Sequence, residues 1–127
     1  MSLRSPLGRV LGLGAAKEGP AHWWSQRVTA AALVVLTLWF VASLLRFNGF
    51  DYDALIAWAG APVNSVLLIL LTATLVYHSM LGLQVVIEDY VSGGLRVVTL
   101  IFVNFVHYLV AALAIFAVLR IAFGGAA

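Results

Sequence analysis

Three stretches of this chain, residues 28–45, 63–87 and 97–119, contain no Asp, Glu, Lys or Arg. Each is close to or longer than the ~20 apolar residues that carry a helix across a ~30 Å hydrocarbon core. Their borders are charged: Arg27 and Arg46 bracket the first, Glu88 and Asp89 close the second, and Arg96 and Arg120 bracket the third. In lipid every backbone N–H and C=O must find its partner inside the protein, which leaves helices or a closed barrel. A barrel needs apolar and polar residues in alternation, and these runs show none. The expected fold is an all-α membrane protein of three transmembrane helices, forming a single domain over residues 1–127, with residues 1–26 as a segment ahead of the first helix.

Composition leaves no room for a water-facing domain of any size. Charged residues make up 9% of the 127, against about a quarter in a soluble domain, and the mean hydropathy is +1.08. Cysteine is absent, which excludes disulfides, thiolate chemistry and iron–sulfur ligation by this chain. The net charge of +2 is too small and scattered for nucleic acid. Its distribution is informative instead. Arg4, Arg9, Lys17, Arg27 and Arg96 share one side of a three-span topology, and only Arg46 and Arg120 lie on the other. Basic residues accumulate on the cytoplasmic side, so the N-terminus and the second loop are expected there and the C-terminus in the periplasm. Trp23 and Trp24 then fall at the inner interface, Tyr52 and Trp58 near the outer one. Asn48-Gly49 and Gly60-Ala61-Pro62 punctuate the outer loop, and Ser92-Gly93-Gly94 the inner turn. Gly8, Gly12, Gly14, Gly19 and Pro6 argue against an amphipathic presequence, and residues 1–26 read as a mature bacterial N-terminus, cytoplasmic in an inner-membrane protein.

Few polar residues enter the hydrocarbon, and each needs a reason. His78 and His107 are ionisable groups inside the second and third runs, which makes them functional candidates by default. His78 stands nine residues before Ile87, about 13 Å up the helix, and His107 lies at a similar depth on its antiparallel neighbour. Either could be a neutral imidazole holding two helices together, worth ~0.6 kcal/mol. A neutral imidazole in a water-poor bundle also suits a haem iron. His107 reads more readily as the helix-to-helix contact. Gly82, one turn from His78, leaves room for a porphyrin or for another helix. Asp89 and Tyr90 close the second run, and Asp89 lies eleven residues, close to three turns, from His78 on the same face. A phenol beside a carboxylate can donate to a quinone carbonyl and manage its protons; such residues also commonly cap a span. Arg27, in the cluster His22-Trp23-Trp24-Ser25-Gln26-Arg27, could pair a carboxylate such as a haem propionate or could anchor the topology.

These elements together resemble the hydrophobic membrane anchor of bacterial succinate dehydrogenase, respiratory complex II. Residues 77–90, from Tyr77-His78 through Gly82 to Asp89-Tyr90, resemble that family's His-x3-Gly-x6-Asp-Tyr element. Arg27-Val28-Thr29-Ala30 resembles its Arg-x-Thr-Ala entry to the first helix. The resemblance implies that His78 is one axial ligand of haem b, the other coming from the cytochrome b556 subunit. It implies that Arg27, and more loosely His22, approach the haem propionates, and that Tyr90, with Asp89 beside it, binds ubiquinone. It further implies a flavoprotein and an iron–sulfur subunit on the cytoplasmic face, where succinate is oxidised for the tricarboxylic acid cycle and aerobic electron transport. The chain would then be an anchor packed with a partner anchor subunit, and no enzyme by itself.

Three other readings stay open at this level. One is a fumarate reductase anchor using menaquinone. Another is a small self-sufficient b-type cytochrome with His78 and His107 on one iron. The third is a plain scaffolding or assembly protein.

Overall fold

The computed structural model describes residues 19–49 and 51–124, and these form four helices and no strand. Helix α1 spans Gly19–Leu44, α2 Tyr52–Gly60, α3 Pro62–Tyr90 and α4 Gly93–Gly124. Helices α1, α3 and α4 are apolar enough to cross a membrane, so the three-span, all-α expectation holds. At ~1.5 Å per residue their 26, 29 and 32 residues run about 39, 43 and 48 Å. All three outreach a ~30 Å core, so their ends enter the interfaces or the helices tilt.

The helices outrun the charge-free stretches because hydropathy marks only the part in hydrocarbon. Residues 19–26, expected to precede the first span, are the first two turns of α1. Pro20 is tolerated there because the first turn of a helix has no internal use for its N–H. Residues 1–18, with Arg4, Arg9 and Lys17, lie outside the described residues. At the far end α4 takes in both Arg96 and Arg120.

The segment between the first two spans contains a helix that the sequence reading treated as loop. Gly49, at φ 107°, makes the turn that a side chain would strain. Asp51 then caps α2, its carboxylate accepting from the Ala54 N–H at 3.3 Å. Helix α2 stops because Pro62 forces the preceding Ala61 into extended backbone, φ −62° and ψ 132°, and Pro62 at once opens α3. The first turn of α3 satisfies the carbonyls left over from α2: Asn64 Nδ2 donates to Trp58 O at 2.9 Å and buried Ser65 Oγ to Ala59 O at 2.7 Å.

Trp58 was expected in the outer aromatic belt. It is half-buried and forms the hub of a cluster, stacked on Trp39 at 5.8 Å and meeting Phe47 edge-on at 5.9 Å. Ring pairs of this kind pin α2 to the end of α1. Tyr52, the other residue expected in that belt, is exposed. At the other end of the molecule Val91 and Ser92 form the turn, Gly93 opens α4 at φ 66°, and Arg96 Nε donates to Val91 O at 2.8 Å. Helix α3 lies between α1 and α4 and packs along both. Only Ser65, Leu81 and Ile87, all on α3, are buried among the described residues. The other apolar side chains are half-buried or exposed, as suits a chain that spans lipid.

Candidate functional site

The seam between α1 and α3 gathers most of the polar residues singled out above. Thr29 and His78 meet across it, with Thr29 Oγ1 2.9 Å from His78 Nδ1. Nε2 of the same ring makes no hydrogen bond among the described residues. His78 and residues Ala30, Leu33, Val34, Thr37 and Leu38 of α1 line an open apolar groove, a shallow cavity of about 440 Å³. A half-buried imidazole with one nitrogen engaged and the other free, beside an apolar cavity, can take one axial position on an iron. Among the described residues no three His, Cys, Asp or Glu converge on a point, so a metal here would take its other ligands from elsewhere.

The seam continues toward the N-terminal end of α1 into a second cavity of about 600 Å³. It is lined in part by His22, Gln26 and Arg27 of α1 and by Gly82 and Glu88 of α3. On α1 the residues lining both cavities recur every three or four positions, so a single helix face borders the two. Gly82 admits α1 itself: a Cβ placed there would lie 3.5 Å from Gln26 Nε2. Two buried atoms at this cavity, His22 Nε2 and Gln26 Oε1, find no hydrogen-bond partner among the described residues. Such atoms are costly to leave unsatisfied, and none of the described residues supplies their partner. Arg27 is exposed, its guanidinium 5.8 Å from the Trp23 ring centre, and no carboxylate among the described residues pairs with it.

His107 is the other histidine at membrane depth, and its environment differs. Nδ1 lies 2.8 Å from Val103 O, one turn back on α4, and a carbonyl only accepts, so Nδ1 carries the proton. Nε2 is then the acceptor and takes the Ser79 hydroxyl proton across 3.1 Å. Both nitrogens are engaged and α4 is tied to α3. Joining His78 on a single iron would require breaking this contact. The expected similar depth of the two histidines holds, since Ser79 follows His78 directly.

Asp89 and Tyr90 are the last residues of α3 and both are exposed, Tyr90 at 86%. They do not join His78 in one pocket of this chain; the phenol projects from the bundle end where another protein surface or a ligand could reach it. Glu88 is occupied locally, accepting from Gln84 Nε2 at 2.8 Å. Sequence reading gave no role to Thr29, Gln26 or Ser79. The signal was available in part, because a Thr, Gln or Ser in a spanning helix needs a hydrogen-bond partner.

The model of the family described as succinate dehydrogenase/fumarate reductase transmembrane subunit matches residues 1–121. The succinate dehydrogenase hydrophobic membrane anchor subunit of Paracoccus denitrificans is 34% identical over 120 residues, spanning 94% of this chain and 93% of its own length. Its counterpart in Rickettsia bellii (strain RML369-C) is 39% identical over 89 residues, 70% of this chain and 71% of its own. The succinate dehydrogenase membrane anchor subunit of Reclinomonas americana is 30% identical over 80 residues. No solved structure matches the chain.

Proposed function

The chain belongs to the succinate dehydrogenase/fumarate reductase transmembrane subunit family and is a multi-pass protein of the inner membrane, and from that premise we propose that it anchors a succinate:ubiquinone oxidoreductase, supplies one axial ligand to haem b and forms part of the quinone-reduction site. The names of its relatives favour the succinate-oxidising direction over fumarate reduction. The observation that carries the haem reading is the free Nε2 of His78, a half-buried imidazole at membrane depth beside an apolar cavity. A second membrane anchor, the cytochrome b556 subunit, would supply a further ligand, and the flavoprotein and iron–sulfur subunits would dock on the cytoplasmic face. This chain alone is not an enzyme.

When bound, haem b supplies a one-electron redox centre inside the membrane. His78 would hold the iron through Nε2. His22 and Gln26, with buried atoms awaiting a partner, and Arg27, with its exposed guanidinium, line a cavity suited to the polar edge of such a group. Tyr90 donates its phenolic hydrogen to a ubiquinone carbonyl, which orients the ring and polarises it toward reduction. Asp89, exposed at the same helix end, passes protons from the cytoplasmic water.

The quinone assignment is tested by Tyr90→Phe, which keeps the ring and deletes the hydroxyl. Loss of that donor leaves a carbonyl unpaired at about 1–3 kcal/mol, so succinate–quinone reductase efficiency falls about five- to a hundredfold at ~1.4 kcal/mol per tenfold. Succinate oxidation by a dye that takes electrons from the soluble subunits stays near wild type in the same preparation. Quinone reduction within twofold of wild type moves the donor to another chain of the complex.

A further inference from the structure

We infer that Thr29 is a positioning residue for the His78 ligand: its hydroxyl fixes which imidazole nitrogen carries the proton and strengthens the donation of the other. This inference rests on the reading of His78 as an iron ligand. It follows from counting protons around one oxygen. Thr29 Oγ1 lies 2.7 Å from Ser25 O, 3.2 Å from Gln26 O and 2.9 Å from His78 Nδ1. A hydroxyl has one proton. Two oxygens at 2.7 Å need a hydrogen between them, so that proton points at the Ser25 carbonyl. Oγ1 therefore meets His78 as an acceptor, and the hydrogen between Oγ1 and Nδ1 belongs to the ring.

Three consequences follow. The neutral ring is the Nδ1–H tautomer, and the lone pair sits on Nε2, beside the apolar cavity. The ring cannot turn over, because that would replace Nδ1 at the hydroxyl with a carbon. The chain of donors, Nδ1–H to Oγ1–H to Ser25 O, polarises each member and raises the basicity of Nε2, as partners of a ligand's second nitrogen do. The choice of residue matters too. A threonine hydroxyl that bonds back to the carbonyl four residues earlier is held in a narrow rotamer by its β-branch. The same atom also ties α1 to α3, so a purely structural role must be told apart from a role in tuning the ligand.

The test compares the intact complex carrying Thr29→Val, Thr29→Ala or Thr29→Ser with wild type and with His78→Ala. Its readouts are haem affinity, the haem midpoint potential and the ferric electron paramagnetic resonance g-values. Thr29→Val keeps the branched shape and removes the hydroxyl. Haem affinity should fall about 10- to 100-fold, the usual cost of losing a ligand's supporting partner. The midpoint potential should move positive, because a weaker donor stabilises ferric iron less, and the g-values should shift. Thr29→Ala removes the same hydroxyl in a smaller side chain and should move the potential the same way, which covers failure of the valine variant to assemble. Thr29→Ser retains the hydroxyl and should restore potential and g-values close to wild type. An unchanged potential and g-values in both hydroxyl-free variants, or an equal change in Thr29→Ser, overturns the inference while leaving the ligand reading intact. Unchanged haem properties in His78→Ala remove the ligand reading and the inference with it.

Discussion

Two seams run along α3, and each carries a histidine contact at nearly the same depth. Toward α4, His107 uses both ring nitrogens, one on its own helix at Val103 O and one on Ser79 of α3. Toward α1, His78 uses a single nitrogen on Thr29, and the seam opens on either side of that contact into cavities of about 440 and 600 Å³. Residue type and depth do not separate the two. What separates them is how many polar atoms remain unused once the neighbours have taken theirs. A fully satisfied ring, as at His107, fastens two helices; a seam that leaves a lone pair, a His22 nitrogen and a Gln26 oxygen without partners among the described residues is the one proposed above to take a ligand.

Gly82 is where the α1–α3 seam responds most to added bulk. The α1–α3 seam closes on it, and a single Cβ there would sit 3.5 Å from Gln26 Nε2, an ordinary contact. Gly82→Ala should therefore be tolerated. Gly82→Val adds two methyls against the same amide and should destabilise the complex by about 1–3 kcal/mol, the usual cost of overpacking. Thermal unfolding of the detergent-solubilised complex checks both, and equal stability of the two variants would contradict the close approach of α1.

The smallest effect is expected on the other seam. Ser79→Ala removes the proton that His107 Nε2 accepts and should cost about 0.6 kcal/mol, typical of a hydrogen bond between helices in a membrane. Reduced-minus-oxidised spectra should not change. A shifted spectrum at unchanged stability would show that the α3–α4 seam also acts on the cofactor.

The sequence displays the architecture openly and the site only halfway. Three charge-free runs demand three helices, because lipid allows the backbone no other partners. Helix ends were less legible: hydropathy falls at Arg27, yet the backbone stays helical back to Gly19 because water at the interface penalises a polar turn of helix very little. Helix α2 was hidden behind Asn48-Gly49 and Pro62, which read as loop punctuation, although Asp51 three residues ahead of Ala54 was a usable capping signal. His22, Arg27, His78, Asp89 and Tyr90 drew notice as polar groups at or in a membrane. The leaning of His107 toward a helix-to-helix contact was legible, but the physical basis of its contrast with His78 was not. It depends on Thr29, 49 residues from His78, and on Ser79, 28 residues from His107, and on where one hydroxyl proton points.

The central claim is that the open histidine holds the haem and the closed one does not. Oxidised and dithionite-reduced optical spectra of the purified complex, recorded for His78→Ala and for His107→Ala against wild type, test it directly. Loss or displacement of the reduced haem b absorbance in His78→Ala, with His107→Ala indistinguishable from wild type, is the predicted result. An unaltered spectrum in His78→Ala, or a lost haem in His107→Ala, would contradict it.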